Sequence, residues 1–197
     1  MAPHPTRAAW ILVGGRSSRM GTDKARADSA GRALALRVAD RARGVCASIT
    51  LVGNPFLYAD LGLPVVPDRF PGQGPLAGIE AELGSTSALD NLIVACDMPA
   101  LPETVLDALF RSASGDPDAD CIVPRHDNGD LEPLCAVYRQ RCHPVVLAAL
   151  EAGTRKVTTA LQFPLPRPLA IRYIRVSDPE AFANLNTPED WQRYHRD

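Results

Sequence analysis

The sequence predicts an α/β fold of three layers, in which helices cover both faces of a mostly parallel, twisted sheet. In the first half of the chain, apolar runs of strand length alternate with longer amphipathic stretches, as in strand–helix–strand units. The second half contains two short apolar runs on either side of a polar turn, which predict an antiparallel excursion of the sheet. A chain of 197 residues, 46% of them hydrophobic, has the size of one α/β domain, so we expect a single domain over residues 1–197.

Apolar runs and breakers define the elements of the first half. In chain order these are strand 8–13, helix 33–45, strand 48–52, strand 64–66, helix 76–83, strand 91–95 and a helix from Pro102 to about Arg111. The strand over 91–95 is almost continuously apolar, as a central strand would be. Pro75 and Pro102 suit the first turn of a helix. Residues 112–118 are predicted to form a loop.

The second half is predicted to be less regular. Its elements are strands 120–124 and 133–138 around the turn 126–130, helices 145–152 and 155–162, a stiff proline-rich connector 164–168, strand 170–176 and a final helix. Thr187 is the predicted N-cap of that helix, with Pro188 in its first turn and Asp190 at its third position.

Composition and charge exclude several classes of protein. The net charge of −2 provides no basic field for a nucleic acid, and no apolar run approaches the roughly 18 residues that cross a membrane. Residues 1–7 do not resemble a signal peptide and are expected to be a frayed terminus. None of the five cysteines forms a C-x-x-C pair, so we expect buried free thiols and a cytoplasmic protein. A zinc site that combines them with His126 or His143 is the less favoured alternative.

A glycine-rich basic loop directly follows the first strand, and it is the most informative segment of the chain. It reads Gly14-Gly15-Arg16-Ser17-Ser18-Arg19-Met20-Gly21-Thr22-Asp23-Lys24. Glycines allow backbone N–H groups to approach phosphate oxygens closely, and the basic side chains add positive charge at the same place. The spacing is neither that of a Walker A loop nor that of a dinucleotide fingerprint. The alternative, an incidental surface turn, does not explain the whole pattern.

Polar residues follow three further strands and are expected to meet this loop. Ligands of open α/β sheets bind at the carboxyl ends of the strands, where Asn54, Asp68 and Asp97 stand. Asp97 suits Mg²⁺, a hard cation that takes carboxylate and phosphate oxygens, although an aspartate that caps a helix would look similar. Asn54 alternatively starts an Asn-Pro turn, and Asp68 alternatively caps its own turn. Gly72-Gln73-Gly74 would let the backbone approach a flat base.

The glycine-rich loop resembles the opening signature of the molybdenum cofactor guanylyltransferases, of the molybdopterin-guanine dinucleotide biosynthesis protein A type, within the nucleotidyltransferase-like superfamily. Four later blocks resemble that family in the same order: Gly74-Pro75-Leu76-Ala77-Gly78-Ile79, Val94-Ala95-Cys96-Asp97-Met98-Pro99, Glu132-Pro133-Leu134-Cys135-Ala136-Val137-Tyr138 and Phe182-Ala183-Asn184-Leu185-Asn186-Thr187-Pro188-Glu189-Asp190. The resemblance implies a Rossmann-like fold and an enzyme that transfers GMP from GTP to molybdopterin with release of pyrophosphate.

The resemblance also implies roles for individual residues. Arg19, Lys24 and Asp97 would be catalytic, and Asp97 would bind Mg²⁺. The residues expected around the nucleotide are Leu12, Val13, Gly14, Gly15, Lys24, Asn54, Asp68, Gly74 and Asp97. Asn184 and Asn186 would lie toward the pterin. Partner proteins that deliver molybdopterin, or that mature molybdoenzymes, are implied by the family alone.

Two departures from the family pattern concern the nucleotide site. Val13 stands where alanine is usual, so its larger side chain would either crowd the base or be absorbed by a small backbone shift. Ala25-Arg26-Ala27 stands where the family has more apolar residues.

Two other functions compete with the guanylyltransferase. A cytidylyltransferase, acting on molybdopterin or on another phosphorylated small molecule, is the nearer one. Gly15 favours GTP, since cytidylyl relatives tend to have Ala-Gly where this chain has Gly14-Gly15. The other is a regulatory module that binds nucleotide without chemistry, which the presence of both Lys24 and Asp97 disfavours.

Overall fold

The computed structural model describes residues 4–14, 23–29, 31–176 and 178–194. The strands in these ranges are β1 His4–Leu12, β2 Asp28–Ser29, β3 Arg32–Ala33, β4 Cys46–Val52, β5 Val65–Val66, β6 Asp90–Ala95, β7 Cys121–Arg125, β8 Cys135–Arg139 and β9 Ile171–Arg175. The α-helices are α1 Leu34–Arg43, α2 Pro55–Tyr58, α3 Pro75–Ser85, α4 Glu103–Gly115, α5 His143–Glu151, α6 Val157–Ala160 and α7 Pro188–Tyr194. Short 3₁₀ helices cover Lys24–Arg26, Ala59–Leu61, Gln140–Cys142 and Pro179–Phe182.

Seven strands form one mixed sheet in the order β5-β4-β1-β6-β8-β7-β9. The pairs β5–β4, β4–β1, β1–β6 and β7–β9 are parallel, whereas β8 runs antiparallel to both β6 and β7. The predicted parallel sheet with an antiparallel excursion is therefore confirmed. β6 occupies the middle of the sheet, as its apolar sequence predicted.

Two hydrophobic cores cover the two faces of this sheet. One core packs α1 and α4 against the sheet through residues such as Val38 and Phe110. The other packs α3, α5 and α6 through residues such as Leu76 and Val146. The three predicted layers are thus helices, sheet and helices. The five cysteines are free and buried, as predicted. None of the helices described is long and apolar enough to cross a membrane.

Several predicted boundaries were wrong, for local physical reasons. β1 begins at His4, which pairs with Cys46, so residues 4–7 belong to the sheet and not to a frayed terminus. α4 continues to Gly115 through the segment predicted as a loop, because Ala113 extends the buried stripe of the helix. α6 spans four residues where eight were predicted, and three β-branched residues in its sequence disfavour a longer helix.

The sequence reading missed the two-residue ribbon of β2 and β3. The start of α7 follows the prediction closely, because Thr187 Oγ1 accepts from the Asp190 N–H (3.2 Å) and the Asp190 carboxylate accepts from the Thr187 N–H (2.8 Å). This reciprocal pair caps the helix.

Candidate active site

A cavity of about 1160 Å³ lies along the edge of the sheet where β5, β4, β1 and β6 end. Because β8 runs in the opposite direction, the cavity there is lined by residues that precede the strand, Glu132, Pro133 and Leu134. The segment after β9 completes it with Asn184 and Asn186. The cavity therefore collects residues that are distant in sequence, as expected for the carboxyl edge of an open α/β sheet.

Nearly all sequence-predicted site residues line this one cavity. Those present are Leu12, Val13, Gly14, Lys24, Asn54, Asp68, Gly74, Asp97, Asn184 and Asn186. Gly15 and Arg19, the other two, lie outside the described residues. The residues predicted to bind the nucleotide and those predicted to lie toward the pterin thus line the same cavity.

The glycine-rich loop leaves the sheet at Gly14, which has a φ of +103°, a conformation that residues with a Cβ rarely adopt. The Val13 N–H donates to the Val52 carbonyl (3.0 Å), which ties the start of the loop to the end of β4. The Val13 side chain is buried in the core. A Cβ on the neighbouring Gly53 would lie 2.5 Å from the Val13 carbonyl oxygen and 2.9 Å from Val13 Cγ2. The absence of a side chain at Gly53 therefore makes room for both the backbone and the side chain of Val13.

Lys24 and Asp97 meet in the wall of the cavity. Lys24 Nζ lies 3.6 Å from Asp97 Oδ2 and donates a hydrogen bond to Asn186 Oδ1. The Asp23 carboxylate fixes the first turn after the loop by accepting from the Ala25 N–H (3.0 Å). Burial raises the pKa of Asp97, and the Lys24 ammonium partly opposes this. A cation in this place stabilises the charged carboxylate.

Asp97 is not a helix cap, which was the alternative reading of the sequence. The N-cap of the next helix, α4, is Pro102. The Asp97 carbonyl instead accepts from the Leu185 N–H (2.9 Å), which anchors the segment after β9 across the end of β6. Asn184 and Asn186 flank Leu185 in sequence, and both line the cavity.

Asn54 and Asp68 each have a local structural role as well as a place in the cavity. Asn54 Oδ1 accepts from the Phe56 N–H (3.0 Å) and caps α2. Asp68 Oδ1 accepts from the Phe70 N–H (2.7 Å). Burial raises the pKa of Asp68, against the hydrogen bond from Phe70. The turn-forming alternatives are therefore confirmed for both residues, and both residues also line the cavity.

A buried tyrosine that sequence reasoning missed supports the loop from below. A Cβ on Gly14 would lie 3.8 Å from the Tyr58 hydroxyl. Burial, with a smaller contribution from the Asp23 carboxylate, raises the pKa of Tyr58 well above its ordinary value. Arg26 Nε donates to the Leu57 carbonyl (3.0 Å). Tyr58 and Arg26 thus hold α2 against the segment that carries Lys24, which gives the unusual Arg26 a structural role.

A second buried group supports the loop that carries Asp68. Arg69 Nη1 donates to Glu80 Oε1 (3.0 Å), and His143 Nε2 lies 2.9 Å from the same oxygen. Gly84 lacks the side chain that would crowd this cluster, since its Cβ would lie 3.3 Å from His143 Nε2. The loop over 68–74 is therefore tied to α3 and α5.

Glu132 is the principal cavity residue to which the sequence analysis assigned no role. It precedes the reversed strand β8, so the rule for strand ends does not find it. The only sequence signal was its place in the block Glu132-Pro133-Leu134, which resembles the family. His126 Nε2 lies 2.7 Å from Glu132 Oε1.

Comparisons with known proteins agree with this geometry. The family model described as MobA-like NTP transferase domain matches residues 9–164. A Carboxydothermus hydrogenoformans protein named "Probable molybdenum cofactor guanylyltransferase" is 35% identical over 93% of this chain and 92% of its own. The molybdenum cofactor guanylyltransferase of Vibrio atlanticus is 33% identical over 96% of each chain. The crystal structure of molybdopterin-guanine dinucleotide biosynthesis protein A from Archaeoglobus fulgidus superimposes with a TM-score of 0.80, at 25% identity, over 96% of this chain and 97% of that one.

Proposed function

Because the chain belongs to the MobA-like NTP transferase family, and within it to the molybdenum cofactor guanylyltransferases, we propose that it transfers GMP from GTP to molybdopterin and releases pyrophosphate. One observation carries the proposal: Lys24 and Asp97 lie side by side in one cavity that also collects the candidate nucleotide and pterin residues. A nucleotidyl transfer needs this arrangement, with a nucleotide on one side of the reacting phosphates and an acceptor on the other.

The cavity is large enough for two ligands. Its volume of about 1160 Å³ exceeds that of a site for one drug-sized molecule, typically about 300–1,000 Å³. Strands lie roughly 4.8 Å apart, so four spacings from β5 to β8 give a length of roughly 19 Å. We define the donor half by Leu12, Val13, Gly14, Asn54, Asp68 and Gly74, and the acceptor half by Glu132, Leu134, Asn184 and Asn186. GTP would occupy the donor half and molybdopterin the acceptor half.

The reaction joins an oxygen of the terminal phosphate of molybdopterin to the α-phosphorus of GTP. The bond from that phosphorus to the oxygen shared with the β-phosphate breaks, and pyrophosphate leaves with the electron pair. A phosphate nucleophile is already ionised at neutral pH, so no strong general base is required. The chain therefore contributes positioning and charge, with Lys24 and Arg19 offsetting the charge of the triphosphate and loop N–H groups holding the leaving pyrophosphate.

The Asp97 carboxylate fits a magnesium ion that substrate phosphates also hold. Mg²⁺ commonly takes one or two protein carboxylates together with phosphate oxygens and water. Among the described residues there is no cluster of three or more acidic, histidine or cysteine side chains that would hold a metal without such help. Asp97 would hold the ion beside the substrate phosphates. When bound there, Mg²⁺ would neutralise phosphate charge and stabilise the departing pyrophosphate.

We place the reaction in the cytoplasm, where a reducing environment keeps thiols such as the five buried cysteines free. Partners in this proposal are proteins that deliver molybdopterin and proteins that receive the guanine dinucleotide cofactor.

Pyrophosphate release from each of the four NTPs, with Mg²⁺ and molybdopterin present, tests the function. We expect release with GTP, dependent on molybdopterin and abolished by EDTA, and a product with the mass of the guanine dinucleotide. Release with CTP instead would identify a cytidylyltransferase. GTP binding without release from any nucleotide would point to the regulatory module.

A further inference from the structure

We propose that the Glu132 carboxylate recognises the pterin by its aminopyrimidinone edge, where a ring N–H and an exocyclic NH₂ stand side by side. The inference rests on the proposed function, because it assigns a residue to the acceptor ligand of that reaction. It makes Glu132 a determinant of acceptor specificity, with His126 as its positioning residue.

The backbone at Glu132 is fixed on both sides. Its N–H donates to the Pro124 carbonyl (3.0 Å), at the end of β7. Its carbonyl accepts from the Cys135 N–H (3.1 Å), at the start of β8. Leu134, two residues on, accepts from the Ala95 N–H (2.9 Å) at the end of the central strand. Glu132 therefore stands on the framework of the sheet at the cavity edge, and its backbone position is preorganised.

The carboxylate is oriented from one side. His126 Nε2 contacts Oε1 at 2.7 Å, and the side chains of His126 and Glu132 are 11% and 20% exposed. The His126 ring is itself held edge-on to Phe182, with centroids 5.7 Å apart and an interplanar angle of 81°. This contact is a hydrogen bond between the His126 ring and the Glu132 carboxyl group. His126 thereby fixes the direction in which the group points.

Hydrogen-bonding capacity remains on this carboxylate after His126 is counted. Within the part of the chain that the structure describes, His126 is its one hydrogen-bonding side-chain partner, and no lysine or arginine forms an ion pair with it. A carboxylate offers about four lone-pair positions. The Glu132 carboxylate lies in the wall of the cavity and is 20% exposed, so its remaining lone pairs can accept hydrogen bonds from a ligand that presents N–H donors.

The position of Glu132 selects one part of the acceptor ligand. A carboxylate repels phosphate, whereas Lys24, beside Asp97, attracts it. Since β8 flanks β6 on the side away from β1, the ligand would direct its phosphate toward Lys24 and its ring toward Glu132. The aminopyrimidinone edge of a pterin presents a ring N–H and an NH₂ group side by side, and this pair matches a carboxylate with two parallel N–H···O bonds. Guanine has the same edge, so the experiment must separate the two ligands.

The test compares the wild type with Glu132→Gln, and Asp130→Asn serves as the matched control. Asp130 is an exposed carboxylate of the same turn and is outside the cavity lining. An amide replaces one acceptor oxygen by a donor, so we expect KM for molybdopterin to rise roughly 10- to 100-fold in Glu132→Gln while KM for GTP changes less than about twofold. Asp130→Asn should leave both constants unchanged. A KM for molybdopterin unaltered in Glu132→Gln would overturn the proposal, and a rise confined to GTP would overturn it in favour of guanine recognition.

A binding measurement separates recognition from a purely structural role and does not depend on turnover. Hydroxymethylpterin and hydroxymethyllumazine differ in that the lumazine carries an oxygen in place of the NH₂ group. Fluorescence titration of the wild type should show the pterin binding at least roughly tenfold more tightly, and Glu132→Gln should lose this preference. An equal preference in both proteins would overturn the proposal. If the wild type shows the preference but transfers no GMP, the proposed function fails and the recognition by Glu132 stands.

Discussion

Lys24 Nζ lies 3.6 Å from Asp97 Oδ2. The two residues are 73 positions apart in sequence, but they meet because they follow β1 and β6, which are neighbouring parallel strands. The backbone of Asp97 is held independently of its carboxylate, because its carbonyl accepts from the Leu185 N–H. The side chain can therefore be changed without releasing the segment after β9. This separates the chemistry at Asp97 from its contribution to the fold.

Asp97→Ala should reduce kcat for GMP transfer roughly 100-fold or more, because charge stabilisation at the reacting phosphates is lost. The melting temperature should stay close to that of the wild type, since the bond to Leu185 uses the backbone. Steady-state pyrophosphate release and differential scanning fluorimetry measure the two effects. Near-normal Mg²⁺-dependent turnover in this variant would show that the ion is held elsewhere.

Gly53→Ala should damage the donor half of the cavity. The new Cβ would lie 2.5 Å from the Val13 carbonyl oxygen and 2.9 Å from Val13 Cγ2, so either the start of the glycine-rich loop or the end of β4 must move. Overpacking of this kind costs about 1–3 kcal/mol of stability. We expect weaker GTP binding by isothermal titration calorimetry together with a lower melting temperature. Gly115→Ala, at a position where the Cβ meets nothing within 4 Å, is the matched control and should bind GTP normally.

Asp120 should make the protein sensitive to acid. Burial alone would raise the pKa of this carboxyl, but hydrogen bonds from Arg167, the Ala170 N–H and Arg141 lower it to about 2. A depressed pKa in the folded state stabilises the fold at pH values above the unfolded pKa of 3.8, and the contribution is lost as the pH falls toward 2. The shift corresponds to about 2 kcal/mol at neutral pH. Urea denaturation of Asp120→Asn should show lower stability at pH 7 and a smaller loss between pH 5 and pH 2, roughly the window set by the two pKa values. If Asp120→Asn lost as much stability between pH 5 and pH 2 as the wild type does, Asp120 would not be the source of the acid sensitivity.

Glu82 should affect stability in the opposite direction, making the fold less stable as the pH rises. Its side chain is buried in α3, and neither carboxyl oxygen has a hydrogen-bond partner among the residues that the structure describes. Burial, with a smaller contribution from Cys142, raises the pKa of Glu82 well above 4.5. A raised pKa means that this group costs no ionisation free energy below pH 4.5 and destabilises the fold increasingly as the pH rises above that value. Glu82→Met keeps the volume, removes the unpartnered oxygens, and should stabilise the protein by about 1–2 kcal/mol at pH 7.

Urea denaturation at several pH values checks the Glu82 prediction. The difference in the free energy of unfolding between Glu82→Met and the wild type should become smaller toward pH 4. Glu151→Met, at an exposed carboxylate near the end of α5, is the control and should change stability little. A destabilised Glu82→Met would mean that this carboxyl has a favourable role in the fold.

The sequence predicted the part of the cavity that follows the parallel strands, because such strands end at a common edge. Asn54, Asp68 and Asp97 each follow such a strand, so a local pattern was enough to bring them together. Glu132 follows no strand end, and its place depends on the pairing of β8 with β6, more than 40 residues away in sequence. Tyr58 and Glu80 were missed for a similar reason, since their partners, Asp23 and Arg69, are defined by tertiary packing. Short-range sequence patterns predict the strands and where they end, but they do not predict these tertiary contacts.

The reversed strand β8 gives the two ends of the cavity different freedom to evolve. The donor half is built by β5, β4 and β1, whereas the turn 126–130 is connected to the sheet through β7 and β8. Changes of length or sequence in that turn would alter the wall near Glu132 and leave the nucleotide end in place. A lineage could therefore exchange one acceptor molecule for another by remodelling a single hairpin, with the phosphate chemistry inherited intact.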